Sequence, residues 1–596
     1  MAIDVRDLAT RTLEPMIAEE LDIYEHTLGE YLDGRVDEDA FRVFRLNHGV
    51  YGQRQGGHAQ MLRIKVPHGR ITPEQLDTMG YIAETYSRGW GHLTTRQNVQ
   101  FHFIALEQSA EILRLMASVG LTSREACGDT VRNVMGCHLA GACPQEVLDI
   151  TPWAKATTDF LLRHPYAQRL PRKFKINFSG CATDCGQAMF NDVGVVATSR
   201  TLDDGTTEAG FKVFIAGGLS SNPRPAHALE DFTAREELLP TIYAVLRTFD
   251  HYGNRDNKIR ARMKWLLDSM DIDELRRRIF RERKFLRGAR DWPWGIPEHV
   301  QQVGDAPAGG SPTASRVGTD QVPVKLLSSD PFDRWQEANV VRGIDRGTVS
   351  AVAYSRLGDI TADQFRALAD IQRDFAIDVR VTNRQNLALR DLTEADVRPV
   401  YDRLLEIGMA DAGAELARDV VSCPGADTCN LAVTQSRGLA AEIGNALDEA
   451  GLAEVPGVRV NISGCTNSCG QHHISDIGFF GLERRAHGRA APGYQMLLGG
   501  HLADTQVQFG EKATKVPAKN APEATVRVVR RFSEERVAGE SFQTWLARSG
   551  GAKGVGDTLT DLDHFPTPDV GPEFYVDYDE TGPYVADVGD GECAAT

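Results

Sequence analysis

The chain has 596 residues, 83 of them acidic against 66 basic, and its formal net charge of -17 excludes nonspecific nucleic-acid binding as its main work while leaving room for a local basic pocket. Ten cysteines in so long a chain are too sparse for a disulfide-stapled secreted scaffold. No apolar run nears the roughly 18 residues of a membrane span, and the opening MAIDVRDLATRTLEPM has no basic end followed by an apolar stretch, so a cytoplasmic, multi-domain protein with no membrane partner is expected.

Along the chain, β-branched runs alternate with helical patterns. The strand-like MLRIKV is followed by the amphipathic ITPEQLDTMGYIAE, then HLTTRQNVQFHF around Arg96 and the helical EILRLMASVG. RNVMGCHLAGAC brings Arg132, Cys137 and Cys143; LPRKFK brings Arg172, Lys173 and Lys175; INFSGCATDCGQ brings Cys181 and Cys185. VGVVA, FKVFIAGGL, the helical PTIYAVLRTFD and the basic run Arg255 to Lys264 follow. Residues 304–323, GDAPAGGSPTASRVGTDQVP, have the Gly, Pro and Ser content of a surface linker.

Beyond that linker the order repeats. ITADQFRALADIQ precedes VRVTNRQNLALR around Arg384, RDVVSCPGADTC carries Arg418, Cys423 and Cys429, NISGCTNSCGQ carries Cys465 and Cys469, and IGFFG and YQMLLGGHL close the series. Five matched segments in one order imply a duplication, with two mixed α/β halves about an approximate twofold axis and a cofactor at their interface. The chain divides on this reading into a first ferredoxin-like repeat with the N-terminal segment (1–125), a first cluster-type α/β domain (126–300), a linker (301–330), a second ferredoxin-like repeat (331–415), a second cluster domain (416–550) and an acidic stretch (551–596) that packs or docks.

Cys423, Cys429, Cys465 and Cys469 form a CxxxxxC and a CxxxC, two thiols per arm, flanked by Gly and Pro that let the backbone crowd a large ligand. That pattern suits an iron-sulfur cluster. Structural zinc pairs are spaced more tightly, so zinc ranks below it and a disulfide lower still. Cys137, Cys143, Cys181 and Cys185 repeat the pattern with 37 rather than 35 residues between the arms, so a second cluster is chemically reasonable, and a second haem beside it stays open.

TTRQN, RNV, LPRKFK, CPGADTC and GCTNSCG together resemble the sulfite and nitrite reductase haemoprotein family, closest to its assimilatory sulfite reductase branch, from about Tyr51 to Gly499. The resemblance implies the family's duplicated fold and a sirohaem whose iron shares the Cys469 thiolate with a [4Fe-4S] cluster on the second quartet. It further implies Arg96, Arg132, Lys173 and Lys175 as anion-binding and proton-donating residues, Arg172 as a neutraliser of sirohaem carboxylates, and Asn467 as a neighbour of the haem. Lys175 stands where plant-type nitrite enzymes tend to have asparagine, and the extra charge favours sulfite over nitrite. Departing from the assimilatory pattern, the first half keeps its own quartet. Gly457 and Arg459 stand where Lys173 and Lys175 would be repeated, so one active site is expected, pairing the second quartet with the first half's cations, and the first quartet is expected to hold a relay or structural cluster.

Electrons are expected from a ferredoxin or a flavoprotein reductase, because no dinucleotide fingerprint is present. Cys127 reads as a buried thiol ahead of a partner of Tyr51, and the His472-His473 pair reads as packing groups ahead of metal ligands. A noncatalytic iron-sulfur carrier is the rival from another class, and it has no use for the four cations.

Overall fold

The structure, a computed structural model, describes residues 11–288, 328–343, 347–589 and 591; the linker stretch 304–323 and Cys593 lie outside the described residues. Both helices of the repeated pattern form where the sequence places them. Pro73–Tyr86 and Ala362–Phe375 each begin with a reciprocal capping box, Thr72 with Gln75 and Thr361 with Gln364, which satisfies two backbone donors that a helix start leaves open. The same glutamines reach on to the carbonyls of Val119 and Ile407.

Each of these helices lies on a five-stranded sheet that its own half does not complete. The first sheet runs Val50–Gly52, Ala59–Ile64, Val99–Ala105 and Trp90–Leu93, and its last strand is Asp359–Thr361 from the second half, with Ile360 opposite Gly91. The twin sheet runs Val340–Arg342, Thr348–Ala353, Leu387–Thr393 and Asp378–Val381, and ends on Arg70–Ile71 from the first half, with Val379 opposite Ile71. The two ferredoxin-like halves thereby exchange edge strands and share one core, in which Leu76, Met79 and Ile82 pack with Phe365, Leu368 and Ile371. Exchange also covers two sheet edges that would otherwise present unpaired backbone.

The cysteine arms rise from a second pair of sheets. In the first, Met135–Gly136, Ile176–Ser179 and Val193–Thr201 run parallel, followed by antiparallel Thr207–Ile215 and His227–Thr233. In the second, Val421–Ser422, Val460–Ser463 and Ile477–Ala486 run parallel, followed by Arg489–Leu498 and Glu511–Pro517. In both, the two arms leave neighbouring parallel strands at their carboxyl ends, where open α/β sheets present ligand sites. The apolar strand runs are buried on both faces, with Ile176, Phe178, Val460 and Ile462 fully enclosed.

The acidic stretch packs. Helix Gly551–Asp557 lies on Glu511–Pro517, Tyr575 and Tyr584 are buried, the Gln435 amide donates to Asp577 (2.9 Å), and the Tyr584 hydroxyl donates to the Val433 carbonyl (3.0 Å). No helix among the described residues is long and apolar enough to cross a membrane.

Two buried glutamines clasp the halves. Gln97 donates to the Gly136 and Val381 carbonyls (both 2.9 Å) and accepts from the Gly136 amide (3.0 Å). Gln385 donates to Leu93 (2.9 Å) and Ser422 (3.0 Å) and accepts from the Ser422 amide (3.0 Å). Both adopt left-handed backbone, φ 54° and 64°, which a non-glycine residue holds only where its surroundings over-determine it. Gln385→Ala leaves buried backbone groups of both halves unpaired, at about 1–3 kcal/mol per group. A lowered thermal midpoint in a melting experiment is the expected outcome.

Candidate active site

In each half, the strands deliver four thiols to one place. Cys137 pairs with Cys185 and Cys143 with Cys181 through thiol hydrogen bonds, and the bond from Cys143 draws the Cys181 thiol down to about 6. In the second half, burial and then the nearby charge of Cys469 push Cys423 up to about 11, and the same two causes raise Cys429 and Cys465. Thiols this close are electrostatically coupled, and a bound metal that displaces their protons relieves the mutual penalty. The Gly464 amide and the Ser436 hydroxyl both lie 3.3 Å from the Cys423 sulfur. Cys469 and Cys185 are the exposed members of their quartets.

The loop that carries each exposed cysteine is forced close to the strand beneath it. A Cβ on Gly186 would sit 1.9 Å from the Phe178 carbonyl, and one on Gly470 1.9 Å from the Ile462 carbonyl, so only glycine fits after either cysteine. Gln187 and Gln471, two residues past those cysteines and both left-handed, hydrogen-bond to each other through their side-chain amides (2.9 and 2.8 Å). A residue meeting its own repeat marks the approximate twofold axis.

Across that axis each RQN loop serves the other half's quartet. The Thr95 hydroxyl donates to the Cys469 carbonyl (2.9 Å), and the Asn383 amide donates to the Cys185 carbonyl (2.6 Å). The TTRQN segment of the first half is therefore seated on the second quartet.

Beside Cys469 stand the cations singled out in the sequence. Arg96 donates to the Asn133 carbonyl (2.7 Å) and the Asn177 and Asn191 side-chain oxygens (3.1 and 3.5 Å), and Arg132 to the Ala126 and Gly128 carbonyls (2.8 and 2.6 Å). Burial, then repulsion from Arg132, lowers Arg96 to about 9; the same pair of causes lowers Lys173 to about 8, against an upward pull from Cys469. Lys175 is pushed well below the lysine range by burial, Arg96 and Arg262. Among the described residues none of the four forms an ion pair with a carboxylate, and the buried Arg132 Nε has no hydrogen-bond partner. Asp192 lies near, but its carboxylate is taken by Arg262 (2.7 Å) and by the backbone amide of Lys175 (2.9 Å).

Arg172 is placed apart from this set, on Asp129 (3.0 Å), which also holds Lys258 (2.8 Å). Asn467 accepts from the Ser220 hydroxyl at 3.5 Å. Cys127 is buried and accepts from Arg63 (3.5 Å). His473 contacts the Ser220 carbonyl (3.1 Å), while His472 is buried against it and against Phe480.

The chain is thus a duplication with a thiol quartet at the strand ends of each half and, beside one of them, a set of cations that pairs with no carboxylate among the described residues. Residues 127–285 and 413–554 match the family "Nitrite and sulphite reductase 4Fe-4S domain", and 51–119 and 345–407 match "Nitrite/Sulfite reductase ferredoxin-like half domain". The chain belongs to the nitrite and sulfite reductase family. It is 30% identical over 524 residues, 84% of each chain, to an assimilatory ferredoxin-dependent nitrite reductase of Haloferax mediterranei. It is 29% identical, over 82% of each chain, to a sulfite reductase [ferredoxin] of Mycobacterium tuberculosis. The solved structure of the Mycobacterium tuberculosis NirA protein matches it with a TM-score of 0.72 at 27% identity, covering 90% of this chain and 95% of that one. The protein is thus an oxidoreductase of a class that carries a 4Fe-4S domain and takes one or both of these anions.

Several supporting residues escaped the sequence reading: Asn177 and Asn191, which hold Arg96 without neutralising it, Asp192, and the Gln187 and Gln471 pair; Arg262 lies in the basic run Arg255 to Lys264 that the sequence singles out, and it pairs with Asp192. Their signal was present only as position within the repeat, since Asn177 recurs as Asn461 and Asp192 as Asp476. Asp192→Asn leaves Arg262 as an uncompensated buried charge, and a loss of about 3–5 kcal/mol is expected from denaturant unfolding of the holoprotein.

Proposed function

We propose that the protein catalyses the six-electron reduction of sulfite to sulfide at a sirohaem joined through Cys469 to a [4Fe-4S] cluster on Cys423, Cys429, Cys465 and Cys469. The observation that carries this reading is the uncompensated set of Arg96, Arg132, Lys173 and Lys175 beside the exposed Cys469. Arg132 is buried and Arg96, Lys173 and Lys175 are half-buried; cations so enclosed without a paired carboxylate are costly, and a small multiply charged anion supplies what they lack. The surroundings also fit the cofactor. A sirohaem bears many carboxylates, and the cleft offers cations together with an exposed thiol as an iron ligand. Bound there, a haem and a cluster would supply the electrons for the reduction, with Cys469 and the other three thiols of its quartet as the residues that would hold them.

The side chains divide the remaining work. Arg96 and Arg132, held on neutral oxygens, keep their forks directed at substrate oxygens without being neutralised. Lys173 and Lys175, whose ammonium groups are destabilised by burial and by the charge of Arg132 and Arg96 respectively, give up protons readily to oxygens that leave as water. Arg172, held on Asp129, would neutralise cofactor carboxylates.

Nitrite reduction to ammonia is the second reading, supported by relatives named for that activity. Lys175 favours sulfite, because a dianion gains more than a monoanion from each added cation. Since relatives of both kinds are named as ferredoxin-dependent, we assign the electron donor to a ferredoxin ahead of a flavoprotein reductase. The first quartet, Cys137, Cys143, Cys181 and Cys185, holds a second [4Fe-4S] cluster that relays electrons or braces the fold.

Steady-state reduction of both anions with a chemical donor tests the choice: a higher kcat/KM for sulfite is expected, and a preference for nitrite transfers the assignment to the second reading. Lys175→Asn should lower sulfite turnover at least tenfold more than nitrite turnover, and equal losses remove the basis for choosing sulfite. Iron analysis should give about nine atoms per chain, two four-iron clusters and one haem iron, with about five expected if the first quartet is empty.

A further inference from the structure

The two clefts are built to one plan, yet their charges differ. In the second half, the counterpart of Arg96 is Arg384, and it is neutralised: its Nε lies 3.0 Å from Asp419 and 3.6 Å from Glu415. The counterpart of Lys175 is Arg459, which pairs with Glu415 at 2.5 Å. The counterpart of Arg132 is Arg418, 3.4 Å from Asp448 and 3.7 Å from Asp411, and Gly457 replaces Lys173. Every cation kept in the mirror cleft thus has a carboxylate of the chain against it.

The backbone framework around Arg96 and Arg384 is otherwise the same. Arg96 Nη2 donates to the Asn133 carbonyl at 2.7 Å, and Arg384 Nη2 donates to the Asp419 carbonyl at 2.7 Å. The residue supplying that carbonyl is the one that follows Arg132 or Arg418, and there RNV becomes RDV. In the first half its side chain is an amide turned away from the guanidinium, with Nδ2 donating to the carbonyls of Val66 (2.8 Å) and Arg96 (3.1 Å). In the second it is a carboxylate, with Oδ2 on Arg384 (3.0 Å) and Oδ1 on the Asn386 amide (3.1 Å).

We propose that the amide at Asn133 and the carboxylate at Asp419 decide which of the two clefts receives the anion, with Glu415 completing the mirror cleft's built-in counter-charge. Asn133 is a positioning residue: it fixes the Arg96 guanidinium by its main chain and leaves the charge free. Asp419 fixes Arg384 in the same way and occupies, with its own oxygens, the position a substrate oxygen would take. The mirror cleft can then keep a thiol quartet and its supporting arginines without competing for substrate.

This inference rests on the proposed anion reduction, and two measurements separate their fates. The first titrates the oxidised holoprotein with sulfite and with nitrite, following its visible spectrum and checking iron content. Asn133→Asp should weaken both anions at least tenfold with the iron content unchanged, whereas Asn133→Ala, which removes the amide without adding charge, should stay within about threefold. Equal affinity for Asn133→Asp and the wild type, or an equal loss in Asn133→Ala, overturns the proposal. The second measurement uses inorganic sulfate as the probe and the melting temperature as readout, in the Asp419→Asn, Glu415→Gln double variant. With Arg384 and Arg459 uncompensated, sulfate should raise the melting temperature by several degrees more than in the wild type, and the absence of any extra rise sinks the counter-charge assignment. A wild type that binds neither anion refutes the reductase reading, while the sulfate comparison still reports on Asp419 and Glu415.

Discussion

The exchange of edge strands between the ferredoxin-like halves governs the placement of everything that follows. Once Asp359–Thr361 pairs with Trp90–Leu93, and Arg70–Ile71 with Asp378–Val381, the RQN loops at the ends of these sheets stand between the two sets of cysteine arms. Gln97 and Gln385 hold the residues just before Cys137 and Cys423 in their own halves, and the same loops reach the partner half's arms through the Thr95 to Cys469 and Asn383 to Cys185 hydrogen bonds. The shared core makes the arrangement rigid, because the two helices covering the sheets pack on each other and neither half can shift without opening that core. The cations of the first half and the thiols of the second quartet are therefore held together by backbone pairing far from either.

Within that frame, electrostatics assigns different work to the two clefts. Burying arginine and lysine without carboxylates is unfavourable, and a sequence under selection for stability alone would pair them, as the mirror cleft does with Asp419 and Glu415. The first half instead holds Arg96 on three neutral oxygens and confines Asp192 to Arg262 and a backbone amide. Strain is concentrated in the same places. Gln97, Gln187, Gln385 and Gln471 all hold left-handed backbone, at the points where the loops turn toward the quartets.

Much of this was legible in the sequence, because duplication writes each element twice. The paired helices, the strands ahead of the cysteines, the two quartets and two of the cations, Arg96 and Arg132, stand out as matched segments, whereas Lys173 and Lys175 stand out through the resemblance of LPRKFK. Strand exchange was not legible: Arg70–Ile71 and Asp359–Thr361 are two and three residues long, too short for any periodicity, and their partners lie roughly 300 residues away. Nor did the sequence distinguish Arg172 from its neighbours. RKFK reads as one basic run, but alternation along an extended segment sends Arg172 to Asp129 and leaves Lys173 and Lys175 to the cleft. The Asn133 to Asp419 difference was visible as one letter, yet its meaning depends on knowing which guanidinium each side chain faces.

The acidic stretch latches the loop of the second quartet and not that of the first. The loop between Cys429 and the helix Ser436–Glu449 is fastened by residues far later in the chain: Asp577 on the Gln435 amide, Tyr584 on the Val433 carbonyl and the Gly589 amide on the Asn430 carbonyl. Arg54, from the first half, ties the Ala426 and Ala432 carbonyls of this loop to the carbonyl of Asp587. The corresponding loop after Cys143 is braced by its immediate neighbourhood, through Glu146 on the Gly141 amide and Gln145 on Thr183. Losing the segment from Asp577 to Gly589 would therefore unfasten the cradle beside the four cations and leave the bracing after Cys143 untouched, so the two halves differ in how much of the chain their thiol loops depend on.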